Sequence, residues 1–126
     1  MSKTTKETYT CMTEVMKSKF YAIFMPLEDC SNFKQVVQSI TKEHPKAKHV
    51  VYAYRNGVNS KSCDDQEPKG TAGRPLLELL NKRGLDNCAI IVVRYFGGTL
   101  LGASRLLRTY VQAGNAAINL ANLVDM

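Results

Sequence analysis

The chain is predicted to fold as an α+β protein, a two-layer sandwich of sheet and helices. Three observations lead there. Short runs rich in aromatic and β-branched residues occupy much of the first half, three segments carry apolar residues at helical spacing, and the two kinds alternate as β-β-α-β-(β)-α-β-α. The expected architecture is a mixed four-stranded sheet with its helices packed on one face. At 126 residues with 44% apolar content, the chain is one domain, large enough for a real core and too small for two.

Residues 7–13 and 18–25 read as the first two strands, and Pro26 ends the second. Ser31 is placed to cap a helix bearing Phe33, Val36, Val37 and Ile40, which Pro45 closes. Residues 49–55 form a third strand running into Asn56-Gly57, a type I′ hairpin signal, with only a short polar return strand around 58–62 to follow. Pro75 suits the first turn of a second helix. Leu76, Leu77, Leu79 and Leu80 form its buried face, and Gly84 stops it. Cys88 through Val93 is continuously apolar, as expected of a central strand. The longest helix covers 103–122, with Leu107, Tyr110, Val111, Gly114, Ala117, Ile118 and Ala121 along its inner stripe. There is no internal repeat, linker or low-complexity tail.

Seventeen Lys and Arg against eleven acids leave a net charge of +6, which permits an anionic partner without requiring one. Lysines dominate before residue 70, notably Lys42, Lys46 and Lys48, whereas arginines gather later at Arg74, Arg83, Arg94, Arg105 and Arg108. Arginine's planar fork suits phosphate or carboxylate, so the second half is the better anion reader. No segment approaches the ~18 apolar residues of a membrane span, and the N-terminus lacks a signal-peptide core. A soluble, cytoplasmic protein with no membrane partner is expected. The cysteines at 11, 30, 63 and 88 form no C-x-x-C pair, so free thiols are expected in place of zinc ligands or disulfides.

Five of the eight glycines fall in two loops, 63–75 and 94–102, each leading into a helix. Glycine weakens a fold unless the backbone needs positive φ or close approach, so the loops mark a candidate site. The second has the strand, Gly97-x-x-x-x-Gly102, helix frame of a phosphate loop. Ala103 and Ser104 stand where its lysine and hydroxyl belong, which argues against an NTPase. A simpler anion or nucleic-acid site remains, with Arg55, Arg94, Tyr95, Gly97, Gly98, Gly102, Arg105 and Arg108 as its candidates. Arg105 is equally suited to pairing with an acid of the first loop. That loop carries Asp64, Asp65 and Glu67 among Gly70, Thr71 and Gly73. Its acids suit Mg²⁺ or acid–base work, or else backbone capping and neutralisation of arginines. No histidine or nucleophile stands beside them in sequence, and no metal or cofactor is expected. His44 and His49 read as structural or exposed. Tyr52, Tyr54, Tyr95 and Phe96 offer nucleobase stacking if exposed and core packing if not.

Lys17-Ser18-Lys19-Phe20, His49 through Arg55, Asp64-Asp65-x-Glu67-Pro68-x-Gly70-Thr71-Ala72-Gly73-x-Pro75, and Arg94-Tyr95-Phe96-Gly97-Gly98-x-x-Leu101-Gly102 with Leu107-x-x-Tyr110 closely resemble the Impact family, in particular the N-terminal domain of YigZ-like proteins. The resemblance runs from about residue 7 to 120. It implies a fold like domain 2 of ribosomal protein S5, with a left-handed crossover. It also implies kinship with eukaryotic Impact proteins, which regulate translation in amino-acid starvation by competing for the ribosome-associated activator of an initiation-factor kinase. For bacterial members the role is unsettled, with nucleic-acid binding proposed from fold. Gln66 stands where the motif usually has glycine, and Ser104-Arg105 replaces a Gly-Gly pair. The chain is expected to be a single Impact-type domain over 1–126, without the ferredoxin-like second domain of bacterial relatives.

Two functions are compatible with these residues. One is a binding or regulatory module for RNA, the ribosome or a translation-associated protein. The other is a metal-assisted hydrolase or phosphotransfer enzyme using Asp64, Asp65 and Glu67 opposite Arg94 and Arg105. The missing nucleophile–base pair favours the first. Either reading requires the two loops to meet, with an arginine among Arg55, Arg94 and Arg105 beside an acid of the first loop.

Overall fold

A run of six apolar residues at 88–93 leaves no side chain that prefers water, so both of its faces must be covered. The computed structural model describes residues 2–126 and satisfies that demand with structure on every side. In chain order the elements are β1 (Lys3–Thr4), β2 (Tyr9–Val15), β3 (Ser18–Pro26), α1 (Phe33–Glu43), β4 (His49–Asn56), β5 (Asn59–Cys63), α2 (Gly73–Lys82), β6 (Cys88–Tyr95), α3 (Ala103–Leu120) and β7 (Val124–Asp125). The main sheet has the order β2-β3-β6-β4-β5, so the apolar run is its central strand. A separate short ribbon pairs β1 with β7.

The α+β class holds, but the sheet has five strands and every neighbouring pair is antiparallel, where four mixed strands were expected. The fifth is β5, whose sequence Asn-Ser-Lys-Ser-Cys is polar because an edge strand buries little. β3 and β4 run parallel to each other across the α1 connection. β6 is inserted between them in the opposite direction, so no parallel pair forms.

The helices also divide between both faces. Phe20, Ala22, Phe24, Val51, Ala53, Ile90 and Val92 pack with α2 and α3, whereas Val50, Ile91 and Val93 pack on the other side with Phe33 of α1. Strand side chains alternate between faces, so a central strand apolar at every position calls for two cores. On the first face Gly114 brings α3 against α2, where an added Cβ would lie 2.8 Å from a Leu76 methyl carbon. Leu107, expected on the inner stripe, is 38% exposed, and Leu106 is buried in its place.

Several boundaries move for local reasons. The first hairpin turns on Met16-Lys17, both at positive φ (48° and 69°), which extends β2 to Val15 instead of ending it at 13. No glycine or asparagine marked that turn. Asp29, not Ser31, caps the entry to the first helical segment by accepting the Ser31 N–H at 3.0 Å. The second hairpin turns on Gly57-Val58, one residue later than Asn56-Gly57 would have it, and β5 accordingly begins at Asn59. Asn56 is thereby freed to staple a neighbouring loop. Its amide donates to the Leu27 and Glu28 carbonyls, and its Oδ1 accepts the Cys30 N–H.

Candidate functional site

The acidic loop is built around backbone groups that need acceptors. α2 starts without a capping side chain at its own N-cap, Ala72. Asp64 supplies one from upstream, accepting the N–H groups of Gly70 (2.9 Å), Ala72 (3.2 Å) and Gly73 (2.8 Å). Gly73 is required here because a Cβ would sit 2.6 Å from the Cys63 backbone nitrogen. The Thr71 hydroxyl folds back onto the Pro68 carbonyl. Asp65 and Gln66 both adopt left-handed backbone, at φ 44° and 68°. That turn lays the loop along the part of β4 that β5 does not reach, since their pairing stops at Tyr52 opposite Cys63. There Asp65 acts as a substitute strand. Its carboxylate accepts the Val50 N–H and its carbonyl accepts the His49 Nδ1–H, each at 2.6 Å.

Glu67 lies deeper, at 6% exposure, beside Arg94 at 5%. Arg94 Nη1 donates to both carboxylate oxygens at 2.9 and 2.7 Å. The Tyr110 hydroxyl donates to Oε2, and His49 Nε2 stands 3.3 Å from Oε1. Burial, reinforced by the Glu67 acceptor, pushes the Tyr110 phenol far above its ordinary range, so it remains a donor. The guanidinium carbon lies 5.3 Å from the Phe20 ring centre and 5.9 Å from that of Phe96. Ser18 completes the cluster, accepting from Arg94 Nη2 at 3.4 Å and from the Gly97 N–H at 3.1 Å. One ion pair thus ties β3, β4, β6 and α3 to both loops. Arg94 Nε is buried without a hydrogen-bond partner among the described residues.

The second loop rests on this base. An added Cβ at Gly97 would lie 2.1 Å from the Lys17 carbonyl carbon, so only glycine passes the first hairpin there. Gly98 and Gly102 take φ of 91° and 78°. On either side of Gly97–Gly98 the loop exposes apolar side chains: Phe96 is 47% and Leu100 85% accessible. Lys48 shares a hollow with both. The Lys17 backbone passes Gly97, and Arg105 lies against the sulfur of the exposed Met16. A hollow of about 200 Å³ is lined by Lys48, His49, Glu67, Arg94, Phe96 and Leu100.

The two loops therefore meet, and Arg94 is the arginine that joins them. Other candidates are placed differently. Arg55 pairs opposite Cys88 at the far end of the sheet and donates to the Leu85 carbonyl at 2.9 Å. Arg94 is engaged by Glu67, which removes it from the set able to receive a phosphate. Tyr95 turns to the α1 face, where its hydroxyl meets His44 Nδ1 and its ring packs on Tyr21. Arg105 and Arg108 are exposed on the first turns of α3. Sequence reasoning missed Ser18, His49 and Tyr110 as parts of the cluster, and Lys48 and Leu100 as parts of its rim. The available signal was that Ser18, His49 and Tyr110 are polar positions within otherwise strongly patterned elements. Among the described residues no three His, Cys, Asp or Glu side chains form a metal site.

The family model for the Impact N-terminal domain matches residues 16–118. The chain belongs to the Impact family. It is 38% identical over 114 residues to the Impact family member YvyE of Bacillus subtilis, covering 88% of this chain and 52% of that protein. It is 36% identical over 114 residues to YigZ of Escherichia coli, covering 86% of this chain and 56% of the relative. The Impact chain thus spans about half the length of the curated relatives it matches. A crystal structure of a hypothetical protein superposes with a TM-score of 0.92 at 31% identity, covering 98% of this chain and 64% of the other. Gln66, one of the two departures noted from the sequence, occupies the left-handed backbone that glycine adopts without strain. No helix among the described residues is long and apolar enough to cross a membrane.

Proposed function

We propose that this Impact domain is a binding and regulatory module linked to translation, and that it docks on a ribosome-associated protein surface through the Phe96–Leu100 loop. The observation that carries this reading is an exposed apolar projection, Phe96 and Leu100, on a base locked by the Glu67–Arg94 pair, with Lys48 beside it. Exposed apolar anchors suit a protein partner, and the adjacent Lys48 suits one with an acidic patch. Kinship with the translation-regulating members of the family supports the choice of apparatus.

The hydrolase reading draws no comparable support. Asp64 is held by three backbone N–H groups, Asp65 by Val50, and Glu67 by Arg94 and Tyr110. A cation or substrate would have to break one of these sets, and the three carboxylates serve three separate sets of partners. The test is sedimentation with ribosomes from the source organism, before and after a high-salt wash that strips associated proteins. Wild type should pellet with unwashed ribosomes, and Leu100→Ser with Lys48→Glu should lower that binding about tenfold, or ~1.4 kcal/mol. Equal pelleting of the two proteins, or none by wild type at low salt, overturns the proposal.

A further inference from the structure

On the opposite side of the sheet, α1 and the β4–β5 hairpin enclose a groove that meets the loop site only at its Lys48–His49 end. Its deeper part is a hollow of about 420 Å³ whose floor is aromatic, with Phe33, Tyr52 and Tyr54 packed edge to face at ring-centre distances of 4.9–5.0 Å. Phe33 is buried, but the two tyrosines are only half-buried and keep ring surface in the groove. Lys34 from α1 and Lys61 from β5 stand on opposite walls, and Cys30 lies at the mouth beside Tyr54. A second hollow of about 280 Å³ shares Val37 and Tyr52 with the first and carries it on to His44, Lys48 and His49. The whole path follows β4 from Tyr54 to His49, about 17 Å at 3.3 Å per residue.

Its charge is one-sided. Lys34, Lys48 and Lys61 form no ion pair with any described residue. The carboxylate lining the path, that of Asp65, is engaged by the Val50 N–H. Three unneutralised cations beside two accessible aromatic rings match the chemistry of a single polynucleotide strand, with phosphates along the walls and bases on the floor. An acidic peptide would use the lysines and leave the ring surfaces without a specific partner. A duplex would keep its bases stacked away from the floor.

We infer that the α1–β4–β5 groove binds single-stranded nucleic acid, stacking bases on Tyr52 and Tyr54 and pairing phosphates with Lys34, Lys61 and Lys48. This site is separate from the Phe96–Leu100 docking loop and touches it at Lys48. A length of about 17 Å accommodates about five nucleotides at the 3.4 Å per-strand rise.

The experiment is fluorescence anisotropy of labelled 12-mer oligouridine and oligodeoxyuridine at 50 and 200 mM salt, with a duplex of the same length and an oligoglutamate peptide as competitors. Wild type should bind both single strands in a salt-dependent way, and the difference between the two arms shows whether the sugar is read. Lys34→Glu with Lys61→Glu should weaken binding at least tenfold, whereas the charge-matched Lys6→Glu with Lys82→Glu, away from the groove, should weaken it less than threefold. Leu100→Ser should leave it unchanged, which separates this test from that of the docking loop. The chain has no tryptophan, so tyrosine emission is directly visible and should be quenched on binding. Tyr52→Leu with Tyr54→Leu should remove the quenching, and bound oligonucleotide should protect Cys30 from alkylation in the unmutated protein. Equal losses in the two lysine pairs, an unprotected Cys30, preference for the duplex, or equal displacement by oligoglutamate overturns the inference.

Discussion

Replacing Glu67 with leucine should be the most damaging single change in the acidic loop, even though the residue faces no ligand. The substitution keeps the site filled but leaves the Arg94 guanidinium, 5% exposed, without its counter-charge. Removing one partner of a buried pair costs about 3–5 kcal/mol, because the surviving charge is neither hydrated nor neutralised. The Tyr110 hydroxyl loses its acceptor in the same step. Against a total stability on the order of 10 kcal/mol for a domain of this size, that is a large fraction. At roughly 3–5 °C per kcal/mol, the melting temperature should fall by about 10–25 °C. Urea titration followed by circular dichroism measures the free energy, and a double-mutant cycle isolates the pair. Glu67→Leu combined with Arg94→Met should recover most of the loss, since a buried pair replaced by apolar groups of similar volume is close to neutral. A Glu67→Leu variant that loses less than about 1 kcal/mol would refute the structural role. A double variant worse than the sum of its singles would do the same.

Three further predictions concern the backbone and one exposed carboxylate. Gln66→Gly should raise stability by about 0.5–1 kcal/mol, because relief of left-handed strain at φ 68° exceeds glycine's entropic cost, and a lower urea midpoint would contradict this. Gly97→Ala should cost about 1–3 kcal/mol by forcing the first hairpin away from the loop, whereas an unchanged melting curve would mean that contact is dispensable. The Ser31 N–H holds the Asp29 carboxyl below its ordinary range, so its contribution is present above about pH 4 and is lost as pH falls through the depressed folded value. Asp29→Ala should therefore melt lower than wild type at pH 7, and the gap should shrink steadily as pH falls below about 4. A gap that stays constant from pH 7 down to pH 2 would show that the carboxylate's charge is not the cause.

Much of the fold was legible because it depends on local patterning. The apolar run at 88–93 announced a central strand, Pro75 and Gly84 bracketed a helix, and the two glycine-rich loops marked where backbone would pass close to backbone. Gly73 and Gly97 meet that expectation at Cys63 and Lys17. The sequence also carried a sign of two cores in that same run, although the helices were expected on one face. The turns at Met16-Lys17 and Asp65-Gln66 were illegible because non-glycine residues hold positive φ there only when tertiary contacts over-determine them.

What the sequence determined by itself was the three helices and the strands of the main sheet, the α+β class and the position of the two loops, since propensity and periodicity act over a few residues. The two-residue strands of the β1–β7 ribbon carry no such signal. What only the tertiary structure decided was the use of each charge. Arg94 and Glu67 are 27 residues apart in the chain, and Tyr110 is 43 from Glu67, yet the three meet in one buried cluster. Arginine and glutamate have the same chemistry whether they await a ligand or neutralise each other. Only long-range packing, by removing water from around both, commits them to each other and leaves recognition to the exposed residues around them.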